Sequence, residues 1–365
     1  MSTPPRVWLL LGEKRGDNAQ VRNLARAVGW ESIEKTIRVK TAWKDAKPPV
    51  AASLDHIDRT RSDVLEGPWP DLILTAGRRL ASVALFLKQA SGGRTRIVVI
   101  GKPRGRRGDF DLIVVAAHYV LPDGPEVVRH ALPLMGVDRD SLAETKKGWV
   151  GRLTLLPRPL SALFVGGPTG GLRLDVSTAR QLLEATRRTV EKRRGSLFIV
   201  SSRRTPPEVS AFLLEQKTPN EQLYLYDAEP AAQDNPYRGL LALADHFVVT
   251  MDSLSMMVEV ASLGRPLSIF PLEREQRALE GPLTSLGLLR VLDPREDEVP
   301  AGGVAARILA ALGWPIHSRD LSAIARLLVR ESLAGWLGDP VVSPPRYQDP
   351  GLEEAAERVR ALLAV

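Results

Sequence analysis

Four times in this chain an apolar run without polar alternation ends in a loop of glycine or small polar residues, and a helical pattern follows at once. Val7-Trp8-Leu9-Leu10-Leu11 leads into Gly12 to Asn18 and a helix from about Ala19 to Val28, and Asp71 to Ala76 leads into Gly77 and a helix over Arg78 to Gln89. Leu160 to Val165 leads into Gly166-Gly167-Pro168-Thr169-Gly170-Gly171 and a helix from about Ser177 to Arg193. His246 to Thr250 leads into Met251-Asp252-Ser253 and a helix from about Leu254 to Leu263. Unalternating runs suit strands covered on both faces, and strand, loop and helix in succession build open parallel sheets. The pattern predicts an α/β protein with Rossmann-like, mostly parallel sheets.

Further strands are expected at Ile37-Arg38-Val39, Arg96 to Ile100, Phe110 to Val115, Leu197 to Val200, Leu223 to Tyr226 and Pro266 to Phe270. A chain of 365 residues exceeds the usual size of one core, so two domains are expected. The punctuation Leu155-Leu156-Pro157-Arg158-Pro159 sets the boundary. The reading is a first domain over 1–155, a second over 156–320, and late helices over 321–365, from Leu321 to Leu337 and Leu352 to Leu363, that brace the two.

Fifty basic and 43 acidic side chains leave a formal charge of +7, which favours anionic ligands, nucleic acid or an acidic membrane surface without selecting among them. Only 5% of residues are aromatic and no basic stripe alternates with them, so a stacking platform for nucleic acid is not expected. There is no cysteine, which excludes disulfides and thiolate chemistry and agrees with a reducing cytoplasm. The five histidines show no metal-ligand spacing. His118 and His246 read as structural, and no metal or cofactor is expected. No apolar run is long enough to span a membrane, which leaves a cytoplasmic protein, with peripheral contact at the inner membrane face open.

Candidate site residues gather at the carboxyl ends of the expected strands, where open α/β sheets bind ligands. Asp252 or Ser253 can cap the helix that follows, whose free N–H groups suit a phosphate. Ser253 and Ser255 add hydroxyls, and Glu259, about two turns on, can accept from ribose hydroxyls. Gly166 and Gly167 allow close approach of backbone to ligand and Thr169 offers a donor. Ser201, Ser202, Arg203 and Arg204 bring two hydroxyls and two guanidiniums that can clamp a diphosphate, each guanidinium supplying a fork of donors, with Ser202 and Arg203 the expected pair. On the acceptor side of the first domain stand Glu13, Lys14, Asp17 and Asn18, with Gly77 and Arg78 in an equivalent loop. Gly101-Lys102-Pro103-Arg104 adds positive charge.

Val7-Trp8-Leu9-Leu10 with Gly12-Glu13-Lys14-Arg15-Gly16-Asp17-Asn18-Ala19-Gln20 resembles the start of the ELM1-like family, named after plant mitochondrial fission proteins and found in bacteria as uncharacterised proteins. Pro70 to Arg79, Gly166-Gly167-Pro168, Thr205-Pro206-Pro207, Asn235-Pro236-Tyr237 and Thr250 to Glu259 follow in the family's order. The family carries two labels: fission proteins, recruiting factors at the outer mitochondrial surface, and nucleoside-diphosphate-sugar epimerases. The Gly-x-x-Gly-x-x-Gly turn and Tyr-x-x-x-Lys pair of a short-chain epimerase are absent. The architecture is more similar to GT-B glycosyltransferases, whose donor nucleotide sits mainly on the C-terminal domain. This likeness implies two Rossmann-like domains facing across a cleft that holds a nucleotide-sugar. It implies that Arg203 and the Asp252-Ser253 helix start stabilise the leaving diphosphate without a metal, and that Glu13 or Asp17 serves as base. The alternative is a non-catalytic adaptor or membrane-surface interaction protein of the family.

Overall fold

The computed structural model describes residues 4–43, 50–103, 107–226, 235–274, 293, 295, 319–345, 347 and 350–364. The expected basic turn at Gly101 to Arg104 falls partly outside them, at Arg104. Two compact units divide the chain, one of Met1–Gly136 with Asp349–Val365, the other of Val137–Gln348.

In the first unit the strands are β1 (Val7–Leu11), β2 (Ser32–Thr36), β3 (Leu72–Ala76), β4 (Arg96–Ile100), β5 (Leu112–Ala116) and β6 (Val127–His130). They form one parallel sheet in the order β2-β1-β3-β4-β5-β6. Every residue of β1, β3 and β5 is buried, the reason those strands read as continuous apolar runs. β2 lies at the edge as Ser32-Ile33-Glu34-Lys35-Thr36, partly exposed, rather than at the expected Ile37 to Val39. A solvated edge strand needs no apolar run, so composition conceals it.

Helix α1 (Arg15–Val28) buries Val21, Leu24, Ala25 and Val28 and ends at Gly29, whose φ of 80° is left-handed. Ala355, Ala356 and Val359 of the last helix pack on that same face. Arg360 from this helix donates to the carbonyl of Ala27 at 3.0 Å. On the other face of the sheet, α2 (Arg78–Ala90) buries Leu80, Ala81, Val83, Ala84 and Leu87 against Trp8, Leu10, Ile73 and Ile97.

The second unit opens with α3 (Arg139–Leu153) and continues through β7 (Leu160–Phe164), α4 (Val176–Arg193), β8 (Ser196–Val200), α5 (Pro207–Gln216) and β9 (Glu221–Tyr224). Then come α6 (Tyr237–Leu243), β10 (His246–Thr250), α7 (Leu254–Ser262), β11 (Leu267–Phe270), α8 (Ala323–Arg330) and β12 (Gly335–Trp336). The sheet is again parallel, in the order β12-β11-β10-β7-β8-β9. The expectation of α/β architecture with two Rossmann-like sheets therefore holds.

The division of the chain falls at Gly136, ahead of the Leu-Leu-Pro-Arg-Pro punctuation. α3 packs on α6, with Trp149 pressed so close to Gly239 that a Cβ there would lie 2.4 Å from the indole. The expected helix from Leu321 to Leu337 stops at Arg330. Ser332 takes a φ of 57°, and Gly335-Trp336 then joins the sheet beside β11. Of the late helices, α8 belongs to the second unit and the last, α9 (Pro350–Ala361), to the first.

Candidate functional site at the second sheet's switch point

Strand order reverses between β7 and β10: the chain runs outward from β7 through β8 to β9, then returns to the other side of β7 to lay down β10. Loops leaving two such strands diverge, opening a crevice at their carboxyl ends, the usual ligand position in open α/β sheets. The loops after β7, β8 and β10 are tied together at this point. The Gly166 N–H donates to Thr250 Oγ1 at 2.8 Å, joining the glycine turn to the end of β10. The Thr205 hydroxyl lies 2.7 Å from the Gly166 carbonyl and 3.0 Å from that of Val165, and accepts from the Ser202 N–H at 2.8 Å. This Ser-Thr turn fastens the β8 loop to the glycine turn.

At the centre is the carboxylate of Asp252, its side chain fully buried. One oxygen, Oδ2, receives the Gly167 N–H at 3.0 Å, the Ser253 hydroxyl at 3.1 Å and the Arg204 guanidinium at 2.7 Å. Arg204 also donates to the Gly167 carbonyl at 3.1 Å. The other oxygen, Oδ1, is buried with no hydrogen-bond partner among the described residues.

The glycines owe their place to this packing. A Cβ on Gly166 would sit 2.1 Å from Asp252 Oδ2, and one on Gly167 would sit 1.9 Å from the Arg204 carbonyl oxygen. The sequence suggested that ligand approaches there; protein atoms fill both places. Capping also differs from expectation: Ser253 is the N-cap of α7, and no side chain caps the helix. Of the two adjacent arginines it is Arg204 that turns onto the carboxylate. Arg203 is exposed, with no hydrogen bond or ion pair to a described residue. A run of two arginines in a loop carries no periodicity from which that choice can be read.

Ser202 belongs to the cluster through the Thr205 turn, at 3.2 Å between their hydroxyl oxygens. Thr169 lies beyond it, in a small bridge with Leu172, and Ser255 stands in the first turn of α7. Glu259, midway along α7, accepts from the Tyr237 hydroxyl at 2.5 Å. Burial, more than the hydrogen bond opposes it, raises the Glu259 carboxyl above its ordinary range, and burial next to Glu259 raises the Tyr237 phenol. Arg204, Thr205 and Thr250 lay in the loop segments that the sequence pointed to, without the partners the structure gives them, whereas Tyr237 was not among the site residues expected from sequence. Tyr237 stood in the family-like motif Asn235-Pro236-Tyr237, the one signal that pointed to it.

In the first unit the equivalent reversal lies between β1 and β3. Asn18 clips the loop after β1, accepting from the Gly12 N–H at 3.0 Å and donating to its carbonyl at 2.8 Å. Asp17 stands 4.0 Å from Lys14, and its Oδ2 would lie 3.4 Å from a Cβ on Gly77, whose φ is 83°. Glu13 is exposed, and Arg78 begins α2. Thus Asp17, Lys14, Asn18 and Gly77 share one sheet edge. Among the described residues no three His, Asp or Glu side chains are grouped to hold a metal, and no helix is long and apolar enough to cross a membrane.

The family model described as mitochondrial fission ELM1 matches residues 15–311. This chain belongs to that family. Among ELM1 relatives, the mitochondrial fission protein ELM1 of Arabidopsis thaliana is 25% identical over 290 residues, covering 69% of this chain and 67% of the plant protein. An uncharacterised protein of Rickettsia prowazekii is 24% identical over 295 residues, covering 72% of this chain and 82% of its own length. Among solved structures, the ELM1-family chain is similar to the UDP-GlcNAc 2-epimerase of Methanocaldococcus jannaschii, with a TM-score of 0.49 and 9% identity over 98% of this chain and 99% of that one.

Proposed function

We propose that the second unit binds a nucleoside-diphosphate ligand, a nucleotide-sugar, at the β7/β10 switch point, as a GT-B-like glycosyltransferase holds its donor. The observation that carries this reading is the convergence of three loops on one spot: the Gly167 N–H, the Ser253 hydroxyl and the Arg204 guanidinium all meet at Asp252 Oδ2. A backbone N–H, a hydroxyl and a guanidinium beside a helix N-terminus form a donor set suited to a phosphate oxygen. Glu259 is the proposed partner of the ribose hydroxyls, its Oε2 engaged by Tyr237.

In this reading Arg204 and the start of α7 hold the diphosphate and stabilise the negative charge that develops on it as the sugar leaves, a task other sugar transferases give to a metal. Arg203, Ser202, Thr169 and Ser255 contribute around the same ligand. Glu13 or Asp17 of the first unit is the proposed base for the acceptor, with Lys14, Asn18, Gly77 and Arg78 on the acceptor side.

The test is calorimetry of the protein against UDP, GDP, ADP and CMP, with a Ser253→Ala/Glu259→Ala double variant as control. Saturable binding of one nucleotide, weakened at least about tenfold in the variant, is the expected result, a loss of about 1.4 kcal/mol. Silence toward all four nucleotides overturns the reading and leaves the adaptor role.

A further inference from the structure

The cradle at the switch point already holds an anion, and that anion is part of the chain. The Asp252 carboxylate sits where the glycine turn, the Ser253 hydroxyl and Arg204 aim their donors. The room beside Gly166 that a Cβ would need is taken by both carboxylate oxygens, at 2.1 and 2.4 Å.

Two features argue that this carboxylate is more than a strut. It caps nothing, since α7 begins without a side-chain cap. Its three donors crowd onto Oδ2, while Oδ1 is buried with no partner among the described residues. A buried acceptor left without a hydrogen bond is unfavourable, so half of this group gains nothing from its position. The pairing with Asp252 also cancels the charge that Arg204 would otherwise offer to a ligand.

Resting on the ligand site proposed above, we infer that Asp252 is a specificity-determining residue, an internal competitor for the phosphate position. A small free anion must displace the carboxylate with the gain from the cradle alone. A nucleoside diphosphate brings additional contacts along α7 and overcomes the competition. The site therefore selects nucleotides against free phosphate and pyrophosphate.

Calorimetry of wild type and Asp252→Asn against pyrophosphate and against UDP, GDP and ADP tests this. The variant keeps the shape and removes the charge. It is expected to bind pyrophosphate at least about tenfold more tightly than wild type, a gain of about 1.4 kcal/mol, and to narrow the preference for nucleotide. Unchanged or weaker pyrophosphate binding in a variant that melts cooperatively overturns the inference, and nucleotide binding by wild type in that case leaves the ligand site standing. Silence toward every probe in both proteins overturns both. Where the variant fails to fold, a crystal structure of wild type with the best-binding nucleotide decides. A phosphate oxygen on the Gly167 N–H with the 2.7 Å Arg204–Asp252 pair broken is the expected result, and an intact pair beside bound nucleotide overturns the inference.

Discussion

The Tyr237 hydroxyl donates to Glu259 Oε2 at 2.5 Å, joining the first turn of α6 to the middle of α7. The Tyr237 ring also packs on Phe164, the last residue of β7, with centroids 4.8 Å apart. One side chain thus links the strand before the glycine turn to the helix that lines the candidate site.

Replacing Tyr237 by Phe keeps the ring and removes the donor. Loss of a hydrogen bond to a buried carboxyl is expected to cost about 1–3 kcal/mol, measured by urea unfolding. Glu259 also gives stability a pH dependence. Its folded-state pKa is raised by burial above the ordinary 4.5, so the unfolded chain releases this proton first. The contribution is complete below the ordinary value and is lost as pH rises through the folded one. Glu259→Gln, which cannot ionise, is expected to gain stability relative to wild type over that rise.

Gly167 and Gly29 separate packing from backbone conformation. Gly29 has a φ of 80° and nothing within 4 Å of an added Cβ, so Gly29→Ala is expected to cost about 1–2 kcal/mol through the left-handed backbone alone. Gly167→Ala places its methyl 1.9 Å from the Arg204 carbonyl. The loop after β8 must move, and the expected cost is about 3 kcal/mol or more. Thermal melts of the two variants give the order; a smaller effect at Gly167 removes the steric account of the turn.

In the first unit, Asp111 receives Lys88 at 2.7 Å, Arg96 at 2.9 Å and the Ile97 N–H at 2.8 Å. Burial would raise this carboxyl, but the hydrogen bonds from Lys88, Ile97 and Arg96 together hold it below its ordinary range. The stability it contributes is present above the unfolded pKa and is lost as pH falls through the folded one. Asp111→Asn is expected to cost about 1–2 kcal/mol at neutral pH by weakening the hydrogen bonds from Lys88, Arg96 and the Ile97 N–H, the part-exposed Lys88 and Arg96 charges being screened by solvent. The gap from wild type should narrow in acid, as read by urea midpoints at a series of pH values.

His246 bridges three strands: its Nδ1 lies 3.2 Å from Ser161 Oγ on β7 and its Nε2 3.0 Å from Ser268 Oγ on β11. Burial, reinforced by nearby Arg193, lowers the imidazole from 6.5 to about 3. Between those values the unfolded chain holds the extra proton, so stability rises with pH across the window and is lost on acidification below 6.5. His246→Gln is expected to be less stable than wild type at pH 8, with the difference shrinking toward pH 4. A constant difference would show that the histidine does not bind fewer protons when folded.

The α/β architecture was legible because the strands that carry it are central. Val7 to Leu11, Leu72 to Ala76 and Leu160 to Phe164 are buried on both faces, and such strands read as predominantly apolar runs. The position of the glycine turn and of the start of α7 at the sheet's carboxyl edge was legible for the same local reason, since a strand's end, a loop and a helix's beginning are consecutive in sequence. β2 and β12 were not, because an edge strand is held by pairing with a neighbour distant in sequence and leaves no periodic trace. The early boundary at Gly136 was hidden likewise: the fit of Trp149 over Gly239 joins residues far apart in the chain.

Local sequence by itself determined the central strands, the helices that follow them and which loops stand at the carboxyl ends of the sheets. It also identified Gly166, Gly167, Asp252 and Glu259 as residues to watch. Tertiary structure alone decided what those residues touch. It chose Arg204 over Arg203, set Asp252 among the donors of the glycine turn, and paired Glu259 with Tyr237. The physical reason is range. Propensity and hydrophobic periodicity act between near neighbours in the chain, whereas a buried charge is placed by groups that meet only when β7, β8 and β10 lie side by side.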